Sequence, residues 1–158
     1  MLYYLSMRIT LVFVGKQRTA YDDMLAYYTQ RIPKPYTLQT IQINPAGIDD
    51  RARSIADEGE RILRALPAHS YLIVLDERGR DITTTNGVDL FRRLANQSIA
   101  HITCVIGGSY GLADSLHDTA DLILRLSSLT LPHELARLVL VEQLYRITAT
   151  IAGSKYHH

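Results

Sequence analysis

The stretch His101-Ile102-Thr103-Cys104-Val105-Ile106-Gly107-Gly108-Ser109-Tyr110-Gly111-Leu112 joins a short apolar run to a glycine loop. An uninterrupted apolar run of that length reads as a strand buried on both faces, as in a parallel sheet. Tyr71-Leu72-Ile73-Val74-Leu75 reads the same way. Arg8 to Val14, Thr37 to Ile43 and the short Leu122 to Leu126 complete the predicted strands. Helices are predicted between them. In Ala20 to Ile32, Met24, Tyr27, Tyr28 and Ile32 recur at helical spacing, and Pro33 and Pro35 stop the pattern. Asp50 to Leu66 is capped by Asp49 or Asp50, and a third helix runs from Thr84 or Thr85 to about Ala95. Asp114 to Ala120 is a short helix, and His133 to Ala152 is a long one ended by Gly153. Asp76 to Asp81 reads as a charged loop. Alternating strands and helices predict an α/β domain, a mostly parallel sheet with helices on both faces. Ligands in such sheets bind beyond the carboxyl ends of the strands. Those ends are Leu75-Asp76, Ile106-Gly107-Gly108 and Leu126-Ser127, and they are expected to meet at one crevice.

The composition bounds the function. A chain of 158 residues suits one domain, 1–158, with Met1 to Ser6 as an N-terminal extension ahead of the first strand. Its 47% hydrophobic and 21% charged content is ordinary for a globular protein. No stretch approaches the roughly 20 apolar residues of a membrane span, so no membrane partner is expected. The N-terminus lacks a basic region and a small-residue cleavage site, and a cytoplasmic location is the expectation. The single cysteine, Cys104, sits inside a predicted strand and is expected to be buried. The net charge of +1 gives no general basic surface, so any nucleic-acid contact must come from a local patch. The six histidines show no metal-ligand spacing, and no metal is expected.

The long C-terminal helix is apolar around most of its circumference. Leu135, Leu138, Val139, Leu140, Val141, Leu144, Tyr145, Ile147 and Ile151 leave no wide polar face. Such a helix is buried on more than one side. One side covers the sheet, and the other is expected to meet a second copy of the chain across a two-fold axis.

Several residues invite a chemical reading. Gly107-Gly108-Ser109-Tyr110-Gly111 contains G-x-S-x-G between a strand and a short helix, the pattern of a nucleophile elbow. Asp114 or Asp121 and then His133 would complete a Ser-Asp-His order. The chain supplies few strands for such a hydrolase, and a turn residue is the simpler role for Ser109. The glycines match neither a dinucleotide fingerprint nor a P-loop. Leu126-Ser127-Ser128-Leu129-Thr130-Leu131-Pro132-His133 offers backbone amides inside an apolar wall just before a helix. Arg78 and Arg80, and Lys16 with Arg18, sit on predicted strand ends, either solvated or placed for phosphate contact. Glu142 and Arg146 are at i,i+4 spacing, suited to a structural pair.

These pieces together resemble the bacterial ribosomal RNA large subunit methyltransferase H family. The resemblance rests on Ile106 to Leu112, on Leu126 to His133, on Val141-Glu142-Gln143-Leu144-Tyr145-Arg146 and on the ending Tyr156-His157, and it runs from Met7 to His157. It implies a SPOUT-type fold with a C-terminal trefoil knot, which ordinary topology rules would exclude. It also implies a homodimer that uses S-adenosyl-L-methionine to methylate N3 of a pseudouridine in 23S ribosomal RNA on the assembled ribosome. The family's cofactor site falls on Leu75, Gly107, Leu126, Ser127, Ser128, Leu129, Thr130 and Leu131. Adenine needs apolar walls with a few fixed polar groups. Gly107 is expected to clear space for the cofactor. His133, Tyr156 and His157 are the catalytic candidates within the matching motifs. A ribosome-binding module that keeps the pocket without catalysis is the alternative.

Overall fold

A computed structural model of the chain describes residues 6–16 and 20–154. Its elements in chain order are β1 (Arg8–Val14), α1 (Asp22–Thr29), β2 (Thr37–Ile43), α2 (Arg51–Ala65) and β3 (Tyr71–Asp81). α3 (Thr84–Asn96), β4 (His101–Ile106), α4 (Asp114–Thr119), β5 (Leu122–Arg125) and α5 (His133–Ile151) follow. The strands form one five-stranded sheet in the order β2-β1-β4-β3-β5. All neighbouring pairs are parallel.

Alternation along each strand divides the core into two clusters. Ile9, Leu11 and Phe13 of β1, Ile102, Cys104 and Ile106 of β4, and Ile73 and Leu75 of β3 pack with residues of α3 and α5. Val12, Val14, Val105, Leu72 and Val74 point the other way, toward Ile62 of α2 and Leu116 of α4. Helices therefore cover both faces, as the continuous apolar strands require. Cys104 is 1% exposed, and burial pushes its thiol up to about 12, so it stays a protonated core residue.

Three expected boundaries change. α1 covers only Asp22–Thr29. Its end is fixed by Arg31 and Ile32, whose amides bond back to the Tyr28 and Thr29 carbonyls in a tight turn ahead of Pro33. α3 is capped by Thr83, whose hydroxyl accepts from the Asn86 amide while the Asn86 side chain accepts from the Thr83 amide. This reciprocal pair satisfies backbone donors that a Thr84 cap would leave open. The third change is the largest. Asp76 to Asp81, expected as a loop, continues β3. Leu75 pairs with Leu124, and after an irregularity Arg80 pairs with Leu124 again. Glycine at position 79 permits the return, because a Cβ there would lie 2.5 Å from the Leu124 carbonyl carbon.

α5 packs against both α1 and α3. It buries Leu140, Val141, Leu144, Ile147 and Ile151, while Leu135, Leu138 and Val139 remain half-buried. Gly87 permits the α3 crossing, since a Cβ there would meet Ile147 at 2.5 Å. Between β5 and α5 the segment 126–132 travels from the sheet edge back to β1, bringing His133 beside Gly15.

Candidate functional site

The carboxyl ends of β3, β4 and β5 do converge. They open on one cavity of about 790 Å³, inside the roughly 300–1,000 Å³ range of small-molecule sites. Its floor is apolar and buried, with Leu75, Ile106 and Leu112 all less than 10% exposed. Leu126, Leu131 and Ala136 continue that wall. Of the residues expected to hold a cofactor, Leu75, Gly107, Leu126, Ser127, Leu129, Thr130 and Leu131 line the cavity. Ser128 lies in the same loop but outside the lining.

The loop is shaped by its own side chains. The Ser127 hydroxyl accepts from the Leu129 amide at 2.9 Å, a local turn that competes with regular structure. Thr130 donates to Glu77 at 3.5 Å, across to the extended part of β3. Gly107 is required to be glycine by its own loop as well. A Cβ there would meet Leu112 at 2.7 Å and the Gly111 carbonyl oxygen at 2.9 Å. The constraint comes from the glycine loop folding back on itself.

His133 lines the cavity at the start of α5. One turn further on, Arg137 is 7% exposed, with its guanidinium 4.2 Å above the Phe13 ring. Burial lowers its pKa, while Asp22, 3.8 Å away, acts in the opposite sense. Arg146 pairs with Glu142 along the helix, as the spacing predicts. Tyr156 and His157 lie outside the described residues.

The Ser-Asp-His order does not assemble. Asp121 sits at the other end of the sheet, accepting the Leu72 amide at 2.7 Å. The Asp114 carboxylate is 97% exposed and points toward His117. Ser109 is an exposed turn residue.

Two acidic groups, half-buried Asp76 and buried Glu58, escaped the reading of the sequence. Asp76, at the cavity wall, receives His117 Nε2 at 2.9 Å and Arg78 Nε at 3.0 Å. Burial pushes its carboxyl up, but the Arg78 side chain and amide together with His117 outweigh this and hold it at about 2. It is therefore a fixed anion at neutral pH. Glu58 of α2 is 6% exposed and accepts the Ala46 amide at 2.9 Å. Its other oxygen lies against Gly108, where a built Cβ would be 3.0 Å away, so the carboxylate ties the loop after β2 and leaves no room for a side chain at Gly108. Spacing offers one sign of this. Glu58 stands four residues after Ser54 and four before Ile62, on the buried stripe of α2. Nothing in the sequence joins His117 to Asp76, 41 positions apart. Among the described residues no cluster of His, Cys, Asp and Glu is placed to hold a metal ion. No helix among them is long and apolar enough to cross a membrane.

Comparison with known proteins defines the class. Residues 7–157 match the family described as predicted SPOUT methyltransferase. The ribosomal RNA large subunit methyltransferase H of Syntrophotalea carbinolica is 36% identical over 155 residues, covering 96% of this chain and 99% of that protein. The proteins of the same name from Laribacter hongkongensis and Gloeobacter violaceus are 39% and 35% identical, with the same coverage. The chain belongs to the ribosomal RNA large subunit methyltransferase H family of SPOUT methyltransferases.

Proposed function

We propose that this protein is an S-adenosylmethionine-dependent methyltransferase acting on N3 of a pseudouridine in 23S ribosomal RNA, on the assembled ribosome and in the cytoplasm. The observation that carries this reading is the convergence of Leu75, Gly107 and the Leu126–Leu131 loop on one cavity. The cavity suits the cofactor chemically. Its apolar floor fits an adenine ring, and the loop backbone offers polar groups at the edge. Glu77, exposed at the wall, suits the ammonium of the methionine part. Arg78 and Arg125 also line the cavity, but each is paired, with Asp76 and Asp81, so neither presents a bare cation to a sulfonium.

Bound there, the cofactor supplies an electrophilic methyl group. The protein's part is to align the acceptor nitrogen with that methyl and to exclude water, which accounts for much of the rate in such transfers. The acceptor must also lose its N3 proton. His133 at the cavity edge, with Tyr156 and His157, are the groups proposed to handle that proton.

We propose that the working form is a homodimer closed by α5. The half-buried Leu135, Leu138 and Val139 of α5 and the exposed Met24 and Tyr27 of α1 support a partner on that side. In this reading the C-terminal tail of one subunit completes the other's site, and the backbone carries the trefoil knot of its family. The return of segment 126–132 across the sheet to α5 supports the knot. Removing Tyr156 to His158 should abolish methyl transfer while leaving the dimer intact, read by transfer to ribosomes and by light scattering. Mass spectrometry of ribosomal RNA nucleosides from cells lacking the gene tests the assignment as a whole. Loss of the N3-methylated pseudouridine is expected, and its retention overturns the reading. Binding to ribosomes without transfer would favour the non-catalytic module instead.

A further inference from the structure

The mouth of the cavity carries an aromatic ring and a cation that the interior does not use. Tyr110 is 40% exposed at the tip of a tight turn. The turn is closed by the Gly111 amide on the Gly108 carbonyl at 3.1 Å, and Gly111 holds φ +93°, which favours glycine. The Tyr110 carbonyl accepts from Arg51 Nη2 at 3.4 Å, which ties the tip to the first residue of α2. The backbone that carries the ring is thus braced from two sides. Arg51 lines the same cavity and is exposed. Unlike Arg78 and Arg125, it has no carboxylate partner among the described residues. Leu129, 74% exposed, stands on the loop that forms another part of the wall.

We infer that Tyr110 is a stacking platform for a nucleobase of the substrate RNA beside the methylated one, and that Arg51 binds a phosphate of the same strand. The inference rests on the functional reading above. Its chemistry is that of single-stranded nucleic-acid sites, where aromatic faces take the bases and guanidinium groups take the backbone. A free ring next to an uncompensated guanidinium at a cavity mouth meets both needs. It also places a local positive site on a chain whose net charge is only +1.

The test is steady-state methyl transfer to intact ribosomes by the full chain, with S-adenosylmethionine affinity measured separately by calorimetry. Tyr110→Ala is expected to raise KM for the ribosome about tenfold with kcat little changed, toward the lower end of what a base stack contributes. Tyr110→Phe keeps the ring and should behave as wild type. Tyr110→Leu keeps bulk without a π face and should resemble Tyr110→Ala. Arg51→Gln should raise KM roughly threefold to tenfold and flatten its salt dependence by about one phosphate contact. Cofactor affinity should stay within about twofold in all four variants. Wild-type KM in Tyr110→Ala, or equal loss in Tyr110→Phe, overturns the inference while the methyltransferase reading stands. A wild-type protein that binds cofactor yet transfers no methyl to any ribosomal particle overturns that reading, and the inference with it.

Discussion

The two ends of the sheet are made from the same strands and behave in opposite ways. At the amino ends, polar side chains close on one another. The Thr10 hydroxyl lies 2.8 Å from His101 Nε2 and accepts from Gln39 at 2.9 Å. Thr103 donates to Ser70 at 2.8 Å, and Asp121 accepts the Leu72 amide at 2.7 Å. At the carboxyl ends, glycines and a loop take over, and the strands open on a cavity. Several polar side chains there line the cavity or its rim. Buried polar groups that find partners within the chain make a closed end, because the cost of desolvating them is already met. An open end follows when the backbone turns away and leaves groups such as Glu77 and Arg51 at the surface.

The comparison can be broken most severely at position 79. Gly79→Ala sets a Cβ against the Leu124 backbone, where nothing flexible can yield. A loss of about 3 kcal/mol is expected, at the top of the usual overpacking range. Urea unfolding measures it, and calorimetry should show weakened binding of S-adenosylmethionine. Unchanged stability would mean that the second pairing of β3 with β5 is dispensable.

Asp76→Asn is expected to do less, about 1–2 kcal/mol, by removing an anion that accepts from Arg78 and His117. Its pH signature has a definite sign. The folded carboxyl is held at about 2, below its ordinary 3.8. The stabilisation is therefore present above pH 3.8 and is lost as pH falls toward 2. The stability gap between the wild type and the Asn variant should be widest at pH 7 and narrow at pH 3, read from unfolding curves at the two values.

The smallest effect belongs to the closed end. Burial, helped by Arg8, lowers the pKa of His101 below its usual 6.5. The neutral form is the folded one, and its buried Nδ1 has no hydrogen-bond partner among the described residues. Stability should be full above pH 6.5 and decline as pH drops through the lowered folded value. A fall of less than about 1 kcal/mol between pH 7.5 and 5.5 is expected. His101→Gln should flatten it, and an equal slope in that variant would place the titration elsewhere.

Much of the fold was legible because its signals are local. Tyr71–Leu75 and His101–Ile106 read as buried strands, and both are. The three carboxyl ends chosen from that pattern meet at the cavity. The expected cofactor residues fall around it with Ser128 set aside, through motif resemblance more than periodicity. What escaped was the continuation of β3. Asp-Glu-Arg-Gly-Arg-Asp has the composition of a loop, and only a partner strand can make it pair. The demand that its own loop places on Gly107 also left no sign in the sequence.

The sequence by itself determined the strand and helix pattern, the buried thiol and the family. Those depend on side chains spaced at two or about 3.6 residues and on contiguous motifs. Only the tertiary structure decided the second β3–β5 pairing, the contact between His117 and Asp76, and the Tyr110–Arg51 rim. Each joins residues far apart in the chain, and packing alone sets the distance between them. The close approach of the Leu124 backbone to Gly79, where an added Cβ would lie 2.5 Å from it, leaves no mark in composition, because a glycine required by contact and a glycine in an open turn are written alike.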